Sequence, residues 1–298
     1  MAQGIGVLIT ERIAVAAISD HEISGALRVH PEEESIADTL YGVPAESIVQ
    51  TIFEQIKLLD VRGKPAFIGL GMPGIVRNGI VEDSPNLVQF KGVNMQALMA
   101  EACTRFFGKV PVGVFNDADV MAAGIAATEG HLDRLIRVWT LGTGIGFGQY
   151  PYSDGIWEGG HSVVTLDPKE QFCGCGGKGH LEGIMGQRAM RLRFMDLEPE
   201  EIFHQAEKGE ERCVKFVKLW HRALAAGTAT SIHQAGPGKF FITGFNARFV
   251  NLALLNEYLH EMVKLSPLQS YSMEVVPGGE DVATIGSAVN AAQLAEKG

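Results

Sequence analysis

The stretch VPVGVFNDADVMAAGIAAT, residues 110–128, sets the fold class of this chain. Its apolar run 110–115 predicts a buried strand, and the small-residue run after Asp117 predicts a helix. Asn116 and Asp117 stand where the strand gives way to the helix, a place from which side chains of α/β proteins reach a ligand. The stretch therefore predicts a layered α/β protein with polar groups at a strand end.

Strands and helices alternate outward from this stretch toward the N-terminus. Residues 4–29 mix short apolar runs with polar residues, which predicts a β-hairpin or meander. Residues 45–59 place isoleucines at helical spacing, and an apolar strand, AFIGLG, follows them. In IVRNGIVE the dipeptide Asn78-Gly79 suits the positive φ angles of a type I′ turn, so a second hairpin is expected there.

The rest of the chain repeats the alternation. A helix is predicted over 95–107, a strand-rich block over 136–166, a long helix around Trp220, and then strand 239–243, helix 249–263, strand 272–276 and a helix after Asp281. This order predicts two related α/β domains with a cleft between them. We expect the first domain to cover 1–115 together with the helix 282–298, and the second to cover 116–281.

Composition excludes several classes of protein. The 298 residues carry 25 Lys and Arg against 35 Asp and Glu, a net charge of −10, and they are 46% hydrophobic and 20% charged. This balance is that of a folded globular protein, and the acidic charge argues against nucleic-acid binding. No apolar run approaches the length of a membrane span, and the start lacks the pattern of a signal peptide. We therefore expect a cytoplasmic protein with a small-molecule partner.

Two segments suggest phosphate and proton chemistry. LGTGIGFG, residues 141–148, follows an apolar strand, and its glycines let backbone N–H groups approach a phosphate while Thr143 adds a hydroxyl. A tight β-turn that needs glycine for its dihedral angles alone explains the same pattern. Asp117 could take a proton from an attacking hydroxyl, but Asp117 or Asp119 could equally cap the helix that follows.

The most specific pattern is that of a metal site. His161, Cys173, Cys175 and His180 lie within one Gly-rich segment, 161–182, and two thiolates with two imidazoles suit tetrahedral zinc. Four protein ligands leave no open position, so the zinc would be structural. The alternative is that the cysteines are ordinary loop thiols and the histidines are surface residues.

Polar residues in otherwise apolar or Gly-rich loops are candidates for binding a sugar. Carboxylates and amides fix hydroxyl groups in a pocket, and Ser84, Asn86, Glu158 and Glu182 have this setting. Each of them alone could also be a solvated surface residue.

Five segments in order resemble the ROK family of bacterial sugar kinases and sugar-responsive repressors, most closely between residues 67 and 188. They are GMPGIVRNGIVEDSPNL, VFNDADVMAAG, TLGTGIGFG, EGGH and CGCGGKGHLEG. The resemblance implies the actin-like ATPase fold, related to ribonuclease H, and a homodimer. It also implies ATP and Mg²⁺ as cofactors, beside the structural Zn²⁺.

The resemblance also implies roles for single residues. Asp117 would be the general base that deprotonates a sugar hydroxyl. The residues that hold the sugar would be Asn86, Asn116, Glu158, His161 and Glu182. The nucleotide phosphates would lie on Gly142, Thr143 and Gly144. The family's zinc loop uses one His and three Cys, and His180 takes the place of the third Cys here, so His161 would serve both zinc and sugar.

Two departures from the family concern the nucleotide. The family opens with an Asp-x-Gly-Gly-Thr phosphate loop, whereas this chain has Val7, Ile9, Thr10 and Glu11 at or near those positions. The family's Gly-Gly turn near the adenosine reads Thr243-Gly244-Phe245 here, which predicts crowding of the nucleotide. Because phosphoryl transfer depends on positioning and charge neutralisation, the loss of the first loop predicts a slower reaction.

Two functions follow from these observations. The first is ATP-dependent phosphorylation of a hexose or N-acetylhexosamine, with Asp117 as base. The second is a sugar-binding or regulatory protein of the same family that lacks efficient phosphotransfer. A repressor is not expected, because the chain begins directly at its first strand and is acidic.

Overall fold

The computed structural model describes residues 3–33, 40–61, 63–153, 155, 158–264 and 270–297. Among these residues the strands are β1 Gly4–Ile9, β2 Ile13–Ser19, β3 Glu22–Ile23, β4 Arg28–His30, β5 Ile68–Met72, β6 Ile75–Arg77, β7 Ile80–Asp83, β8 Val112–Asn116, β9 Ile136–Leu141, β10 Ile145–Tyr150, β11 Lys239–Thr243 and β12 Ser272–Val275. The α-helices are α1 Ala45–Lys57, α2 Met95–Phe107, α3 Asp117–Thr128, α4 Glu182–Met185, α5 Gln187–Arg193, α6 Pro199–Glu207, α7 Glu211–Ala235, α8 Leu252–Met262 and α9 Glu280–Lys297.

The predicted alternation of strands and helices is present, with two differences. Asn78 and Gly79 have φ angles of 51° and 74° between β6 and β7, as a type I′ turn requires. The strand-rich block predicted over 136–166 ends at Tyr150, because the chain beyond it turns through a short 3-10 helix at Gly159–His161. The helix predicted from residue 249 begins at Leu252, because the Asn251 side chain accepts the Leu254 N–H and caps it there.

Contacts divide the chain into two units. The first unit is Met1–Ile136, Gly148–Ile156 and Gly278–Gly298, and the second is Arg137–Phe147 and Trp157–Pro277. Residues 116–136, 148–156 and 278–281, which were predicted to belong to the second domain, lie in the first unit by their contacts. The reason is close packing of α3 on α9, where a Cβ on Gly286 would lie 1.7 Å from the Val120 carbonyl oxygen.

The first unit is built on a sheet of order β3-β2-β1-β5-β8, with β4 also paired to β2. Strands β1, β5 and β8 are parallel, so their carboxyl ends lie along one edge of this sheet. Helix α9 packs directly on the strand backbones, since a Cβ on Gly6 would lie 2.0 Å from the Thr284 carbonyl oxygen. The Ser287 hydroxyl accepts the Val7 N–H across the same contact.

The second unit has a sheet of order β10-β9-β11-β12. Its core is aromatic: Trp139 on β9 and Trp220 on α7 are both buried, and the Trp139 indole N–H donates to the Thr228 hydroxyl at 3.0 Å. The N–H is the one polar group of an indole ring, so a hydrogen bond from it removes the cost of burying each tryptophan. The Trp220 indole N–H donates to the Met185 carbonyl, which fixes α4 against α7.

Within the described ranges, no helix combines the length and the apolar character that a membrane crossing requires.

Candidate active site and metal centre

Asn116 and Asp117 lie at the carboxyl end of β8, on the edge shared by the parallel strands of the first unit. The Asn116 side-chain oxygen accepts the Ala118 N–H at 2.8 Å, and Asn116 is the N-cap of α3. Its amide N–H also donates to the Gly74 carbonyl at the end of β5. The N-cap is therefore neither Asp117 nor Asp119, although the Asp117 Oδ1 also accepts the Ala118 N–H, at 3.0 Å. Asp117 is half-buried in the first turn of α3.

The loop that carries Asn86 is tied to the same edge. Ser84 is buried, and its hydroxyl donates to the Pro73 carbonyl at 2.9 Å. Gly74 has a φ of 115° and approaches this loop so closely that a Cβ would lie 2.2 Å from the Asp83 carbonyl oxygen. Asn86 itself is exposed, two residues beyond Ser84. Ser84 is therefore a structural residue, and Asn86 presents the polar side chain.

Asp119 is a buried carboxyl group one half-turn beyond Asp117. Its Oδ1 accepts the Gln149 N–H at 3.1 Å and so joins α3 to the end of β10. Burial, and then the nearby charge of Asp117, raise the pKa of Asp119 to about 7, while the bond from Gln149 opposes the shift. Asp119 therefore titrates near neutral pH beside the candidate base.

The turn between β1 and β2 contains Thr10 and Glu11, where the sequence departs from the phosphate loop of the family that it resembles. Ile9 pairs with Ile13, so residues 10–12 alone close the hairpin, and the Thr10 N–H already donates to the Arg12 carbonyl at 2.9 Å. Arg12 forms a bidentate ion pair with Glu280: its Nε and Nη2 donate to the two carboxylate oxygens at 3.0 and 2.8 Å. The Thr10 N–H is therefore used within the turn and is not directed at a ligand.

The glycine loop between β9 and β10 lies in the second unit. None of its glycines has a positive φ, but Gly144 has little free space around it, since a Cβ there would lie 2.7 Å from a Glu182 carboxylate oxygen. The Gly142 N–H is used within the loop, since it donates to the Gly144 carbonyl at 3.0 Å. Thr143 is exposed at the tip of the loop. Contacts thus hold Gly142 and Gly144 in place, and Thr143 between them is exposed to solvent.

Glu182 connects this loop to the predicted zinc ligands. Its Oε2 accepts the Ile145 N–H at 3.0 Å, and its Oε1 lies 3.5 Å from the Cys173 sulfur and 3.9 Å from His161 Nε2. The other ring nitrogen of His161 lies 3.4 Å from the Glu158 carboxylate. Glu158, His161 and Glu182 therefore form one cluster, in which His161 lies between two carboxylates.

Three of the four predicted zinc ligands meet at one place, and the fourth, His180, lies beside Cys175. One donor atom from each of His161, Cys173 and Cys175 lies within 4.8 Å of the other two. The two sulfurs are 3.3 Å apart, and His180 Nδ1 is 3.3 Å from the Cys175 sulfur. Thiolates and imidazoles are ligands that tetrahedral zinc takes, so this set of side chains fits zinc in its chemistry.

The protonation state of the Cys173 thiol would couple to metal binding. Burial, the adjacent Cys175 sulfur and the charge of Glu182 raise the pKa of Cys173 to about 12. Since a metal ion binds the thiolate, its arrival would release this proton.

Two residues at the site were not singled out from the sequence. Asp119 was considered only as a cap, although a second Asp among apolar residues of α3 is a signal that could have marked it. Asn246 is fully buried and donates its amide N–H to the Gly142 carbonyl at 3.0 Å. Its only sequence signal is its place after Thr243-Gly244-Phe245.

Comparison with known proteins identifies the family of the chain. A family model described as the ROK family matches residues 17–293. A glucokinase of Pyrobaculum calidifontis is 30% identical over 245 residues, which cover 77% of this chain and 79% of that protein. An N-acetylmannosamine kinase of Haemophilus influenzae is 26% identical over 93% of this chain and 91% of its own length.

Solved structures show the same fold. The crystal structure of a ROK hexokinase from Thermus thermophilus superposes with a TM-score of 0.77 at 22% identity, over 99% of this chain and 100% of that one. The chain has the actin-like ATPase fold that these proteins share. With a family match that extends over nearly all of its length, the chain belongs to the ROK family, as its five ordered motifs predicted.

Proposed function

We propose that this protein is a sugar kinase that transfers a phosphoryl group from Mg-ATP to a hydroxyl group of a hexose or N-acetylhexosamine. The observation that carries the proposal is the place of Asp117, whose carboxylate lies at the carboxyl edge of the parallel strands while Asn116 takes the role of helix cap. The glucokinase and N-acetylmannosamine kinase relatives support the same activity.

In this proposal Asp117 accepts the proton of the attacking hydroxyl group. The residues that would bind the other hydroxyl groups are Asn86, Asn116, Glu158, His161 and Glu182. Hydrogen bonds of this kind fix a sugar in orientation, and orientation accounts for much of the rate of phosphoryl transfer.

The phosphates of the nucleotide would lie on Gly142, Thr143 and Gly144. Because the Gly142 N–H is used inside the loop, we assign the donors to the Thr143 and Gly144 N–H groups and the Thr143 hydroxyl. Mg-ATP, when bound, supplies the phosphoryl group and the positive charge that neutralises it.

His161, Cys173, Cys175 and His180 would hold a structural zinc ion. This ion would fix the ring of His161 between Glu158 and Glu182, since a ligating histidine is oriented by the partner of its second nitrogen. The zinc would therefore shape the sugar site without taking part in the reaction.

A second candidate function is sugar binding without efficient phosphotransfer. The three-residue turn between β1 and β2 favours it, because Glu11 lies exposed at the tip and Arg12 is held by Glu280. A carboxylate at this position would repel phosphate groups, and the paired guanidinium is already partly neutralised.

ADP release from Mg-ATP separates the two functions. We would assay glucose, mannose, fructose, N-acetylglucosamine and N-acetylmannosamine, with Asp117→Asn as the test variant and Asp133→Asn, an exposed carboxylate of the same unit, as the matched control. A kinase shows sugar-dependent turnover that Asp117→Asn lowers by about 10²–10⁴-fold, the usual contribution of a general base. Asp133→Asn leaves the turnover unchanged.

Sugar affinity completes the test. Calorimetry should give the same Kd for the wild type and Asp117→Asn, because Asp117 acts on a proton and is not needed to hold the sugar. Unchanged turnover in Asp117→Asn, or loss of its sugar binding, would contradict the assignment of the base. If folded, zinc-loaded protein binds a sugar but turns over none of the five, the second function, sugar binding without efficient phosphotransfer, is the correct one.

A further inference from the structure

Four planar side chains of the second unit form a continuous stack. The rings of Phe203 and Phe249 are parallel within 3°, with centroids 4.2 Å apart. The guanidinium carbon of Arg248 lies 4.8 Å from the Phe249 ring centroid and 3.9 Å from the Phe245 ring centroid. Arg248 is also held by an ion pair with Glu200. We call Phe203, Phe249, Arg248 and Phe245 the aromatic stack.

One end of the aromatic stack is fixed in the core and the other end is open. Phe203 is 9% exposed and packs edge-on against the buried Trp220 ring, at a centroid distance of 5.4 Å. Phe245 is 59% exposed. The Arg248 guanidinium group already holds the exposed ring of Phe245 in place. The ring therefore loses little conformational freedom when a planar ligand group stacks on it.

The open end adjoins the glycine loop. On one side of Phe245, Gly244 has a φ of 93°, and a Cβ there would lie 2.6 Å from the Leu141 carbonyl oxygen. On the other side, buried Asn246 donates to the Gly142 carbonyl at 3.0 Å. Both neighbours of Phe245 thus touch residues 141–142, and its exposed ring is anchored beside the loop that we assign to the phosphates.

We propose that Phe245 stacks on the base of the nucleotide, so that the bound base becomes the outermost member of the aromatic stack. The proposal rests on the proposed function, since it takes the glycine loop as the phosphate site. It reverses the expectation that Thr243-Gly244-Phe245 only crowds the nucleotide. Stacking on an aromatic ring tolerates any base, so Phe245 would give affinity for a nucleotide over a donor that consists of phosphates alone.

Equilibrium binding by the full chain tests this role without requiring catalysis. We would measure Kd by calorimetry, in Mg²⁺, for ATP and for inorganic tripolyphosphate, which has the phosphates and no base. The variants are Phe245→Ala, Phe245→Trp and, as a matched control, Phe106→Ala. Phe106 is an exposed ring of the first unit that also stacks on a phenylalanine and lies under a cation.

We expect Phe245→Ala to weaken ATP binding about 10- to 100-fold and to leave tripolyphosphate binding unchanged, which is the effect of losing one stacked base. Phe245→Trp should restore ATP binding, and Phe106→Ala should change neither ligand. Tighter ATP binding by Phe245→Ala would show crowding and overturn the proposal, as would equal losses for both ligands.

The two proposals fail in different ways. A wild-type protein that phosphorylates sugar while Phe245→Ala binds ATP normally keeps the proposed function and loses only the stacking role. A wild-type protein that binds ATP no better than tripolyphosphate also overturns stacking. If the pattern expected for Phe245 is found without any sugar-dependent turnover, the stacking role stands and the kinase assignment fails.

Discussion

Replacement of Asp119 by asparagine should stabilise the protein at neutral pH and have a smaller effect in acid. The pKa of Asp119 is raised from 3.8 to about 7 in the folded protein, chiefly by burial. Between these two values the folded state keeps a proton that the unfolded state releases. The contribution of Asp119 to stability is therefore fully present below pH 3.8 and is lost as the pH rises through 7.

The magnitude follows from the shift. One pKa unit corresponds to 1.36 kcal/mol, so the ionised carboxylate lowers the free energy of unfolding by about 4 kcal/mol above pH 7, relative to the neutral acid. The amide of Asp119→Asn has nearly the same shape, keeps an oxygen for the Gln149 N–H and carries no charge. The variant should gain about 2 kcal/mol over the wild type at pH 5 and about 4 kcal/mol at pH 8.

Urea unfolding from pH 5 to pH 8 measures this difference. Far-UV circular dichroism is the suitable probe, because Trp139 and Trp220 both lie in the second unit and Asp119 lies in the first. Asp20→Asn is the matched control: it changes the same charge at an exposed position of positive φ, which asparagine adopts readily. An Asp119→Asn gain that is the same at every pH would refute the reasoning, since it would not arise from ionisation.

Three further changes test the packing, the ion pair and the metal site. Gly286→Ala places a methyl group 1.7 Å from a carbonyl oxygen of α3, and we expect it to lower the free energy of unfolding by about 3 kcal/mol; an unchanged urea midpoint would contradict the close packing. Glu280→Gln should cost about 1–2 kcal/mol, and a double-mutant cycle with Arg12→Met should show a coupling of similar size. Cys175→Ser should reduce the metal content from about one zinc per chain, measured by elemental analysis of chelator-free protein, whereas Cys213→Ala should leave it unchanged.

Local signals predicted much of the fold. The Asn78-Gly79 turn, helix α2 and strand β8 were predictable because turn residues, apolar periodicity and a strand-ending Asn-Asp pair act over a few neighbouring residues. Helices α4 and α5 were not predicted separately. They are only four and seven residues long and are held by contacts distant in sequence, such as the bond from the Trp220 indole to the Met185 carbonyl.

The candidate site was predictable in its residue types and less so in its contacts. Spacing brought His161, Cys173 and Cys175 together because they lie on one short loop. The bond from the Ile145 N–H to Glu182 spans 37 residues, so the sequence alone could not show that this carboxylate lies behind the glycine loop. The burial of Asp119 depends on β10 and α9 packing around α3, which no local pattern encodes.

The features proposed for nucleotide affinity and those for transfer belong to different units. The glycine loop, Asn246 and the aromatic stack are joined by contacts within the second unit, where Gly142 connects the loop to Asn246. The candidate base Asp117 and the shortened β1–β2 turn belong to the first unit. A change confined to the turn therefore leaves the second unit's contacts in place. The proposals accordingly predict separate effects: a change in the β1–β2 turn lowers phosphotransfer and keeps ATP affinity, whereas Phe245→Ala lowers ATP affinity.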